Sequence, residues 1–177
     1  MSINLNDYHL KIKEFLESDP LLSVWFKNVT YYPEVDFESG KAKKLKAPFL
    51  FFSVDDWEKS DKQPEDGRKK WDLNLTFYVG VNGVDDSLGK DNRERDYQVV
   101  LRDLAMGVCT VLDGSFLGIK GPDKNVNPVQ VVTAQPDGFQ TELDDYEIYS
   151  INAKQPFFTG SLHDDLEALK LYKPTLE

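Results

Sequence analysis

The spacing of apolar positions changes several times along the chain, and each change marks an element. Leu5, Tyr8, Ile12, Phe15 and Leu16 recur at three- and four-residue intervals, with Lys11, Lys13, Glu14 and Glu17 between them. This spacing predicts an amphipathic helix. Asn6 or Asp7 is placed to cap it, and Asp19-Pro20 stops it, because a residue before proline is driven out of the helical region. Leu21 to Phe26 reads as one more short helical turn led by Pro20, and Val29 to Tyr32 as a short strand ending at Pro33. Phe49 to Val54 is an apolar, aromatic strand. From Trp71 to Val81 the period becomes two: Trp71, Leu73, Leu75, Phe77, Val79 and Val81 alternate with polar or small residues. All six then share one face of a sheet. One dry face and one wet face favour antiparallel pairing.

Asn92 to Leu112 returns to helical spacing, with Tyr97, Val100, Leu101, Leu104, Ala105, Val108, Val111 and Leu112 as its stripe. Asp91 or Asn92 can cap this helix, and Asp113-Gly114 stops it. Phe116 to Ile119 reads as a short extended piece. Val129 to Ala134 and Asp145 to Phe157 are the last strands. In the second, Tyr149, Ile151, Ala153 and Phe157 share one face while Tyr146 and Ile148 take the other, so that other face is not fully wet. Residues 37–47, 55–70, 82–91, 121–128 and 136–145 read as loops, and 55–70 as a long solvated connection or hairpin tip. Ser161 and Asp164 form a capping box ahead of Leu162, Leu166, Leu169 and Tyr172, which predicts a short amphipathic tail helix. The order gives an α+β fold: a mainly antiparallel β-sheet with helices packed on one face. Residues 1–160 form a single domain and 161–177 a C-terminal amphipathic tail.

Charge narrows the chemistry. The 177 residues hold 31 acids against 21 bases, a formal net charge of −10. That balance opposes a tight nucleic-acid grip, which needs clustered Lys and Arg. No apolar run reaches the roughly 18 residues of a membrane span, and the polar start carries no signal-peptide pattern. A lone cysteine, Cys109, excludes an intrachain disulfide framework and multi-cysteine zinc sites, and reads as a buried structural thiol. His9 and His163 read as surface residues. The acidic clusters Asp55/Asp56/Glu58/Asp61, Asp85/Asp86/Asp91 and Glu142/Asp144/Asp145/Glu147 lack the spacing of a calcium loop and read as solvated loop charge. Gly80, Gly83 and Gly89 match no phosphate loop and read as turn glycines. No catalytic residue, metal ligand or cofactor site emerges.

Two stretches stand out as contact surfaces. Lys41, Lys43, Lys44 and Lys46 form a basic run that is either an exposed loop or a partner contact. Trp57 sits among charges as Asp-Asp-Trp-Glu-Lys. It is either a packed strand end or an interface anchor, since Trp is enriched at hot spots.

The run Lys70-Trp71-Asp72-Leu73-Asn74-Leu75-Thr76-Phe77-Tyr78-Val79 leads through a polar loop to the helix ending at Asp113-Gly114, and strands at 129–134 and 146–153 follow. With the leading helix and the Pro48-Phe49-Leu50-Phe51-Phe52 strand, this arrangement over residues 5–158 resembles the tail-terminator and tail-completion (head-to-tail joining) proteins of long-tailed bacteriophages. The resemblance implies a non-enzymatic structural protein. It would act as a homo-oligomer, a hexameric ring that caps the tail tube and prepares it for head joining. The implied partners are the tail tube protein and a head-completion (neck) protein, without membrane or tight nucleic-acid binding. The implied location is the virion tail, and the bacterial cytoplasm during assembly. A neck or baseplate adaptor of a tail-like machine is the alternative, and a small metal-assisted hydrolase a more distant one. The interface candidates are Trp57, Lys41, Lys43, Lys44, Lys46, Leu162, Leu166 and Leu169.

Overall fold

A computed structural model of the chain describes residues 5–26, 28–32, 47–65, 67–82, 93–119, 126–137 and 146–159. The elements are α1 (Leu5–Ser18), α2 (Leu22–Trp25), β1 (Asn28–Tyr31), β2 (Phe49–Lys59), β3 (Lys69–Asn82), α3 (Arg93–Leu112), β4 (Gln130–Pro136) and β5 (Tyr146–Thr159). The strands form one sheet in the order β1-β2-β3-β5-β4. Three of its pairings are antiparallel, and the edge pair β1–β2 is parallel. The α+β expectation therefore holds, with one parallel edge.

One face of the sheet carries the helices. Leu73, Leu75, Phe77, Val79 and Val81 of β3 are buried there with Leu50 and Phe52 of β2 and Ile151, Ala153 and Phe157 of β5. Tyr8, Ile12 and Leu16 of α1 and Leu101, Leu104, Ala105, Val108 and Leu112 of α3 close over them. The period-two and helical patterns thus meet in one core. Val100 departs from its stripe and is half exposed, because Leu101, Leu104 and Val108 set which side of α3 faces the sheet. One polar pair is built into this core: the Tyr8 hydroxyl donates to Gln155 Oε1, and Gln155 Nε2 donates to the carbonyl of Asn127 at 3.1 Å. Gln155 is wholly buried, and both ends of its amide are satisfied. Burial pushes the Tyr8 hydroxyl pKa well above the ordinary tyrosine value.

The opposite face is dry at one end. Phe49, Phe51 and Ile148 are buried there, packed by Tyr32, Ala47, Tyr78 and Tyr146. The rings of Phe49 and Phe51 stack at 4.4 Å, and Tyr146 meets Phe49 edge-on at 5.3 Å. Gly80 makes room for this cluster. A Cβ built there would stand 2.0 Å from Phe49 Cζ. It therefore serves close packing inside β3, contrary to its reading as a turn glycine.

Local chemistry sets the element ends. The helix α1 starts at Leu5, ahead of the expected caps Asn6 and Asp7. Asp19 both ends α1, donating its N–H to the Phe15 carbonyl, and opens the next turn. Its Oδ1 accepts from the N–H groups of Leu21 and Leu22 at 2.9 and 3.0 Å. Gly114 stops α3 at φ +78°. Asp113 Oδ1 accepts from the Val131 N–H at 3.1 Å, stitching the helix end to β4. The 116–119 segment is a tight turn and not the extended piece expected. Ile119 N–H donates to the Phe116 carbonyl across Leu117 and Gly118, at φ 49° and 72°. A leucine in this region costs about 1–2 kcal/mol, and complete burial of Leu117 in the core offsets it. Trp25 packs on Gly107 of α3, a contact that also leaves no room for a Cβ.

Candidate interface surfaces

The hairpin β2–β3 runs beyond the helices. Expected to end at Val54, β2 continues to Lys59, and Asp55 to Lys59 are all exposed. Its register slips between Val54 and Trp57. Such a bulge adds a residue on one strand and lets both neighbouring side chains turn to one side. Asp55 and Asp56 accordingly bond on the sheet face away from the helices. Ser53 Oγ and Thr76 Oγ1 donate to the two Asp55 oxygens at 2.5 and 2.6 Å, and Asn74 Nδ2 donates to Asp56 at 2.5 Å. The network continues across β5 to β4. Thr76 Oγ1 lies 3.2 Å from Asn152 Oδ1, and Asn152 Nδ2 donates to Thr133 Oγ1 at 3.0 Å. Lys154 bridges to Glu58 at 2.7 Å, and that hydrogen bond raises the Lys154 pKa. Tyr78, at the border with the aromatic cluster, has its hydroxyl pKa raised, first by burial and then by the Asp55 charge.

The sequence presents Asp55, Asp56 and Glu58 as loop charge. They are strand residues committed to hydrogen bonds, a role hidden because the partners lie on other strands. Among the described residues no group of three His, Cys, Asp or Glu side chains is arranged to hold a metal ion. The tip of the hairpin is closed by Gln63. Its amide donates to the carbonyls of Ser60 and Lys70 at 2.5 and 3.0 Å, and its oxygen accepts from the Lys70 N–H at 2.9 Å.

Trp57 is 56% exposed, which rules out the packed strand end among the described residues. It stands opposite Leu73, and Lys59 stands opposite Trp71, so both project on the helix-bearing face. Lys41, Lys43, Lys44 and Lys46 lie outside the described residues, as do Leu162, Leu166, Leu169 and His163. So do Asp85, Asp86, Asp91, Glu142, Asp144 and Asp145, and the capping choice between Asp91 and Asn92. His9 is half-buried against Tyr31, with ring centroids 5.0 Å apart, and is not the plain surface residue expected. Cys109 is half-buried, and its pKa is raised, chiefly by that burial.

Two surfaces escaped sequence reasoning. The edge strand β4 is almost wholly exposed and bears no charged residue from Gln130 to Pro136, with Val132 exposed at a second register slip. An open, uncharged edge is a template for pairing with another chain. Its signal was present in the sequence as an uncharged run, but only the strand order shows that it lies at an edge. The second surface is helical: Val24 of α2 and Val99, Val100 and Met106 of α3 are each at least half exposed. A cleft of about 130 Å³ is lined by Leu101, Arg102, Pro136, Glu147, Ile148 and Tyr149. No helix among the described residues is long and apolar enough to cross a membrane.

No protein-family profile matches the chain, and no curated protein matches it. The fold is similar to that of a chain in a solved structure of the virion of a native gene transfer agent particle. The TM-score is 0.53 at 10% sequence identity, and the match covers 89% of this chain and 100% of that one.

Proposed function

We propose that the chain is a structural subunit of a phage-like particle, and that within it the subunit is a tail terminator. In this reading it forms a hexameric ring on the tail tube, stops tube growth and presents a surface to the neck. The observation that carries the reading is the fold shared with a virion chain over that chain's full length. The surfaces agree with it. A closed ring needs two unlike faces on each subunit, because its contacts are head to tail. The uncharged β4 edge and the acid-rich end of the β2–β3 hairpin are two such faces on one sheet. Six copies would carry roughly −60 formal charges, which suits a ring that DNA passes without being held.

The test is assembly. The purified chain is mixed with tail tube protein from the same particle and imaged by negative stain, with light scattering for mass. A six-fold cap on tube ends supports the reading, and absence of binding to tube protein overturns it. A neck or baseplate adaptor draws the same support, since the gene transfer agent structure is a whole virion. Binding to a neck or baseplate protein in place of the tube would select that second reading.

A further inference from the structure

Beyond the helices, the outer hairpin forms a shelf on the helix-bearing side of the sheet. Trp57 stands opposite Leu73, Lys59 opposite Trp71, and Lys69 opposite Thr159, so Trp57, Lys59, Lys69, Trp71 and Thr159 share that side. Trp57 is 56% exposed, Trp71 is half-buried, and Lys59 and Lys69 are exposed. The floor is held in place, because Trp71 Nε1 donates to Thr159 Oγ1 at 3.3 Å. Neither lysine is in an ion pair with a described residue.

A stripe on α3 complements it. Val99, Asp103 and Met106 follow one another at four and three residues, so they line one side of the helix. All three are exposed, and Asp103 is in no ion pair with a described residue. The stripe lies opposite Leu101, Leu104 and Val108, which are buried in the core, and so faces away from the sheet. It spans about 10 Å. The shelf is about 10 Å wide from β2 across β3 to β5, and its rungs from Leu73 to Lys69 run about 13 Å, room for one helix. The helix α3 packs on β4 and β5 while α1 packs on β1, so α3 belongs to the flank that carries the open β4 edge.

We propose that the shelf of one copy receives α3 of a second copy, with Trp57 and Trp71 against Val99 and Met106 and with Asp103 beside Lys59 and Lys69. Apolar match, width and opposite charge support this occupant together. Two unlike surfaces meet, so the contact is head to tail, as a closed ring needs. Its place in a particle rests on the ring reading; its existence rests on the two surfaces.

Cysteines at the facing positions test it on the chain alone, apart from tube capping. Two full-length chains both carry Cys109→Ser; one adds Lys59→Cys and the other Asp103→Cys. They are oxidised at high concentration, singly and mixed. The expected result is a linked dimer that forms faster in the mixture than in either chain alone. Equal or faster linking within one chain assigns a symmetric contact and overturns the proposal, as does the absence of any link. The ring reading itself still stands or falls by tube capping. Independently, Lys59→Glu with Lys69→Glu should weaken self-association about ten-fold or more, read by sedimentation. Adding Asp103→Lys to that chain should restore it. Unchanged self-association, no recovery, or recovery with Glu14→Lys on α1 in its place overturns the contact.

Discussion

The two halves of β2 share one backbone ladder and little else. From Phe49 to Ser53 every residue is buried, whichever face it points to; from Asp55 to Lys59 every residue is exposed. The inner half lies between the helical core and the aromatic cluster of Phe49, Phe51 and Ile148. Removal of apolar area from water holds it in place. The outer half has no such cover from the described residues. Its register is held by side chains reaching across strands: Asp55 to Ser53 and Thr76, Asp56 to Asn74, Glu58 to Lys154. Stability and specificity are therefore separated along one strand. The inner part anchors the fold, while the outer part fixes which surface is shown.

Substitutions should respect that division, and the largest effect belongs to the inner half. Phe52→Ala should lose about 3–5 kcal/mol, seen as a lower denaturant midpoint, because the ring is wholly buried. An outer-half substitution with a comparable loss would break the comparison. Gly80→Ala should cost about 1–3 kcal/mol by pushing a methyl into the Phe49 ring. A second change, Phe49→Leu, should recover part of that loss in the same measurement. Asp55→Ala removes the acceptor of two hydroxyls whose residues are nearly buried. It should cost about 1–2 kcal/mol, and amide exchange should quicken around Thr76 while that of Phe77 stays slow. The Glu58–Lys154 pair is partly exposed at both ends. A double-mutant cycle to alanine should give at most about 1 kcal/mol, and less in high salt.

The same division decides what could be read from the chain. The β3 strand was legible because its helix side is dry along most of its length, so alternation survives in the sequence. The α3 stripe was legible for a similar reason, except at Val100. The outer part of β2 was hidden because exposed Asp-Asp-Trp-Glu-Lys has the composition of a loop, and only pairing with Leu73, Asp72 and Trp71 makes it a strand. Gly80 reads as a turn glycine in the sequence because a packing glycine and a turn glycine look alike until Phe49 arrives from another strand. Trp57 stands out in the sequence as a tryptophan among charges, but its neighbours on the face come from register, which no single segment encodes. The parallel β1–β2 edge was equally invisible, since strand direction depends on a connection far longer than either motif.

The Gln63 clamp has a practical consequence. Its three hydrogen bonds pin the last rungs of the hairpin before the chain reaches Pro64 and Glu65. Foreign sequence grafted between those two residues would leave the ladder beneath it untouched. An affinity peptide or a small fluorescent reporter placed there gives a handle on the outermost point of the hairpin. Through that handle the subunit can be captured, or its position in a particle located, without altering either terminus.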